Sequence, residues 1–81
     1  MKIYKIEQNV DNGYDTYDSA IVCAESEEEA KKIHPSGDGE TQAKATKYDC
    51  WCGLKDVNVE YLGEAKEELK KGVIVASFNA G

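Results

Sequence analysis

The sequence predicts an α+β domain: a mostly antiparallel sheet of about five strands, ordered β-β-α-β-β-β, with one short helix packed on it. Three observations carry this. Two strand-like stretches near the start flank a tight turn signal, the hydrophobic period switches once to that of a helix, and a final apolar run spans Val73 to Phe78. No linker, repeat or low-complexity tract divides the chain, so residues 1–81 are expected to form a single domain.

Lys2 to Gln8 places Tyr4 and Ile6 on one face and Ile3 on the other. Asp11-Asn12-Gly13 marks a turn, because Asn and Gly tolerate positive φ. Tyr17 to Ala24 follows and completes an antiparallel hairpin. Its Ile21 and Cys23 point one way and Ala20, Val22 and Ala24 the other, which predicts an inner strand with both faces covered.

Ser26 and Glu29 then form a capping-box pattern, in which the serine oxygen accepts from the Glu29 amide. Glu27, Glu28 and Glu29 suit the positive end of a helix, and Glu27–Lys31 and Glu28–Lys32 are favourably oriented i,i+4 pairs. His34-Pro35 should end this helix after about two turns. Ala30 and Ile33 face inward. Pro35 and the segment Ser36 to Glu40 read as one loop.

Ala43 to Trp51 reads as a weaker strand, and Val57 to Leu62 as a clean one with Val57, Val59 and Tyr61 inward. Glu64 to Lys71 is expected to add one or two helical turns. Gly72 then precedes Val73 to Phe78, whose apolar residues on both faces predict a central strand.

Composition narrows the function. Ten cationic residues, all lysine, stand against sixteen acidic ones, for a formal charge of −6. That balance opposes direct nucleic-acid binding, whose affinity depends on cations neutralising phosphates. A chain this short buries only about 60–65% of its extended surface, so one copy is not expected to wall a deep catalytic cleft. No run approaches the ~18 apolar residues of a membrane span, and MKIYKIEQ lacks the apolar core of a signal peptide. A protein of the cytoplasm is therefore expected.

The three cysteines, Cys23, Cys50 and Cys52, cannot all pair, and a Cys50–Cys52 bridge would close a strained ring. Their spacing also departs from zinc knuckles, so neither metal nor cofactor is expected. On this reading Cys50 and Cys52 can both become serine with little loss of stability. The single imidazole, His34, is expected to cap the helix end or lie exposed. With no nucleophile–base–orienter set, catalysis is not expected.

The aromatic residues offer a better lead. Tyr14, Tyr17 and Trp51 surround the hairpin and the cysteine pair, with Phe78 and Asn79 at the chain's far end. Together they could stack on a flat ligand and bind its edges, with Lys44 or Lys47 for phosphate. The lack of arginine counts against a strong phosphate clamp. The acidic group Asp15, Asp18, Glu25, Glu27, Glu28 and Glu29 could instead meet a basic protein.

The strings YKIEQNVDNGYDTYDSAIVCAESEEEAKKIHPSG, VEYLGEA and KKGVIVASFNAG resemble a group of small phage and prophage proteins. The resemblance implies an accessory phage protein acting in the infected host's cytoplasm, by binding and not by catalysis. It is compatible with an anti-defence role: sequestering a small nucleotide-like immune signal, or inhibiting a defence enzyme as anti-CRISPR proteins do. No residue role comes with it. Because one copy is too small for a pocket of ~300 Å³, a homodimer burying Val73 to Ala76 with Tyr48 and Trp51 is expected, with the site at its seam.

Overall fold

A computed structural model describes residues 1–10, 15–37, 39–41 and 50–79, and the side chain of Asn79 is not described. It holds one sheet, with strands β1 (Lys2–Glu7), β2 (Thr16–Ala24), β3 (Asn58–Glu64) and β4 (Gly72–Asn79), and one helix, α1 (Glu27–Lys32). The strand order is β3-β1-β2-β4, and every neighbouring pair is antiparallel. The α+β architecture therefore stands, with four strands among the described residues in place of five. The strand expected at Ala43 to Trp51 falls largely on residues 42–49, outside the described residues, and its described end, Cys50-Trp51, bends. The turn expected at Asp11 to Gly13 also lies outside them.

Hairpin register explains the core. Ile6 faces Ala20 and Tyr4 faces Val22 across β1 and β2, and Val59 and Tyr61 of β3 continue the same face. Tyr4, Ile6, Ala20, Val22 and Ala24 are buried there, with Tyr4 and Tyr61 meeting edge to face at 5.8 Å. Ala30 of α1 covers them. Trp51, Cys52 and Val57, from the segment before β3, pack into the same cluster. A six-residue helix alone could not seal this face; the buried indole makes up the deficit.

The helix starts where the sequence places it. Ser26 Oγ accepts from the Glu29 amide at 3.2 Å. Glu29 reaches one residue further back than a capping box requires, accepting from the Glu25 N–H at 3.1 Å. Its end is tied to the following loop, because the Thr41 amide donates to the Lys32 carbonyl at 2.8 Å.

Two expectations are corrected. Glu64 to Lys71 is not helical: β3 runs on to Glu64, and a turn closed by the Leu69 amide on the Lys66 carbonyl follows. The segment is too short and too poor in apolar residues to hold a helix by packing. More consequentially, β4 lies at an edge of the sheet instead of its centre. Its Val73 and Ala76 pack on the core, while Ile74, Val75 and Phe78 are 46%, 57% and 43% exposed. β2 is an inner strand, beside β1, in keeping with its two apolar faces: Cys23, on the face opposite the core, is fully buried and points its thiol at the Met1 sulfur.

The cysteines are all thiols, but Cys50 and Cys52 are not equivalent. Cys50 is half-buried, whereas Cys52 is 2% exposed and belongs to the core cluster. Cys52→Ser should cost about 1–3 kcal/mol by placing a hydroxyl among apolar neighbours, and Cys50→Ser less. Chemical denaturation of the two single variants checks this; equal midpoints would contradict the placement of Cys52.

Candidate functional site

The most distinctive surface is a row of rings crossing from α1 to the open edge of the sheet. Pairing of β2 with β4 sets Tyr17 opposite Phe78, and the rings meet edge to face with centroids 4.7 Å apart. His34, just past α1, also meets Tyr17, with centroids 6.4 Å apart and its ring nearly perpendicular. Tyr17 and His34 are half-buried, while Phe78 is substantially exposed at the edge.

Tyr17 is held there by its backbone. Its N–H donates to the Cys50 carbonyl at 2.8 Å, and its carbonyl accepts from Nε2 of Gln8 at 3.0 Å. Gln8 is itself buried, and its Oε1 accepts from the Val10 amide at 2.8 Å. Next to Tyr17 the β2–β4 register slips by one residue at Asp18. A bulge of this kind turns adjacent side chains toward the same face. His34 Nδ1 accepts from the Ser36 amide at 3.1 Å, which fixes the ring's orientation. Its role is thus within the loop turn; Ile33 is the helix cap.

The sequence-predicted site residues are only partly united. Tyr17 and Phe78 are brought together, and Asn79 pairs with Thr16 at the end of β4. Trp51 is fully buried and offers no face to a ligand, because the segment that carries it folds beneath the sheet. Tyr14, Lys44 and Lys47 lie outside the described residues, as does Tyr48.

Cationic groups gather elsewhere. Lys32 and Lys71 line an open recess of about 210 Å³ together with Glu29, Glu40, Ile33 and Val73, at the opposite end of β4 from Phe78. Lys71 sits 3.6 Å from Glu29 there. A second open recess of about 440 Å³ is lined by Leu54, Glu28, Lys31, Lys32 and Lys55. Sequence reasoning missed both, because each joins segments far apart in the chain.

Among the described residues, no group of three or more His, Cys, Asp or Glu side chains is placed to hold a metal ion. No helix among them is long and apolar enough to cross a membrane. No protein family, curated protein or solved structure matches this chain.

Proposed function

We propose that the protein acts by binding, holding a small, flat, nucleotide-like ligand against the Tyr17–Phe78 pair. The observation that carries this reading is a rigidly seated aromatic pair ending in an exposed phenyl ring at the sheet edge. A planar base can stack on such a ring, whereas an enzyme needs a nucleophile and a base in register. The only imidazole is engaged with a backbone amide. Together with the phage resemblance of the sequence, this favours sequestration of a signalling nucleotide in the host cytoplasm.

Thermal unfolding with a panel of mono-, di- and cyclic nucleotides tests the reading. A ligand at a hundredfold excess over its Kd adds about 2.7 kcal/mol of stability. That shift should disappear in Phe78→Ala, with far-UV circular dichroism confirming that the variant is folded. No shift with any nucleotide at millimolar concentration would reject the proposal.

A second reading is favoured by the exposure of Asp15, Asp18, Glu25, Glu27 and Glu28. These carboxylates could meet a basic face of a defence enzyme and inhibit it. Capture of one enzyme from host lysate, lost when Glu25, Glu27 and Glu28 become glutamine, would support it.

A further inference from the structure

We infer that two copies of this chain join through their β4 strands, antiparallel, into one continuous eight-stranded sheet. The argument begins with the contrast between the two sheet edges. β3 carries Glu60 and Glu64 and is interrupted by a register shift at Leu62. Charges and bulges of this kind block edge-to-edge pairing. β4 reads GVIVASFN: it has no charge and no proline, and no strand lies beside its outer edge among the described residues. The one extra residue on β4 itself is Ile74, near its start; the other shift in its pairing with β2 is taken up by β2, at Asp18.

Charge selects a second copy as the occupant. The chain carries −6 overall, so most approaches between copies are repulsive, yet β4 itself is neutral. A basic partner would find nothing to attract it along this strand. The two ends of β4 are, however, oppositely flanked. Lys70 and Lys71 precede it, and Asp15 and Asp18 border its far end, where Thr16 and Tyr17 pair with Asn79 and Phe78. Antiparallel self-pairing sets the basic end of each copy beside the acidic end of the other, twice over. Parallel pairing would set like charges together. An antiparallel strand pair is also self-complementary about a two-fold axis, so the assembly closes at two.

That axis, perpendicular to the sheet, keeps both helices on one face and makes the two cores continuous. It also brings the partner's Lys71 toward the end of the sheet that carries the Tyr17–Phe78 pair. Rings from one protomer and an ammonium from the other would then form each site. This last point rests on the binding reading above; the dimer does not.

Light scattering at high micromolar concentration, without ligand, tests the dimer. The expected mass is twice the 8.9 kDa of one chain. Val75→Lys combined with Ser77→Lys places four like charges around the axis and should give a monomer with an unchanged circular-dichroism spectrum. Leu62→Lys, on the other edge, should remain dimeric. A monomeric wild-type chain, or a double-lysine variant that stays dimeric, would overturn the inference. The nucleotide thermal shift is read separately, so a dimer without any shift rejects the binding reading alone.

Discussion

Trp51→Ala is expected to leave little folded protein at 25 °C. The indole is the largest fully buried side chain among the described residues, and it belongs to the one core cluster that also holds Ala30 of α1. Truncating a buried tryptophan costs about 3–5 kcal/mol, from lost transfer energy and from the cavity left behind. Small domains have stabilities near the lower end of about 5–15 kcal/mol, so this single loss approaches the whole. Urea titration followed by far-UV circular dichroism should show the midpoint falling to near zero denaturant. A variant that unfolds with the wild-type midpoint would remove Trp51 from the core. The wild-type fluorescence provides an independent check: the chain's one tryptophan should emit at the short wavelengths of a buried indole and shift red on unfolding.

Ile6→Ala should produce the next largest loss, about 2–5 kcal/mol. Ile6 is fully buried on β1, an inner strand, and lies between Ala20 of β2 and Val59 of β3. The main chain on both sides is paired into the sheet, so the surroundings have little freedom to collapse into the space. Val75→Ala, on the exposed face of the edge strand, should change monomer stability by no more than about 0.5 kcal/mol. Measuring the two at a concentration too low for association separates core packing from edge composition. Comparable losses at the two positions would contradict the strand order.

Local signals in the sequence were read well. The start of α1 was legible because the Ser26–Glu29 contact lies within four residues and needs no tertiary information. The hairpin strands and the grouping of Tyr4 with Ile6 and of Ala20 with Val22 and Ala24 follow from alternation; which face is the core comes only from the packing, where these five are buried as a group. Val73 to Phe78 was identified as a strand but misplaced in the sheet. An apolar run reports strand propensity and a preference for burial; it does not report how many strands lie beside it. Trp51 reads from sequence as a ligand-facing residue at the end of a weak strand, whereas its burial depends on the path of the segment tied to Tyr17 through the Cys50 carbonyl. Register shifts at Leu62 and Ile74 also break strict alternation, and Tyr61, expected inward, is exposed on the edge strand β3 while its ring still meets Tyr4. For the site, Tyr17 and Phe78 were both singled out, but their adjacency exists only through β2–β4 pairing, which no local pattern encodes.

The order β3-β1-β2-β4 also fixes what a ribosome delivers first. The two middle strands and the helix all come from the first 32 residues, and the flanking strands are made afterwards, β4 last. At roughly 5–20 residues per second, β2 waits about 2–10 s for the strand that will pair with it. During that interval its hydrogen-bonding groups face outward and can accept any passing extended segment. Crowded polysomes would make a neighbouring nascent chain the nearest such segment, so slowing synthesis between Ala24 and Gly72 should lower the yield of correctly paired protein.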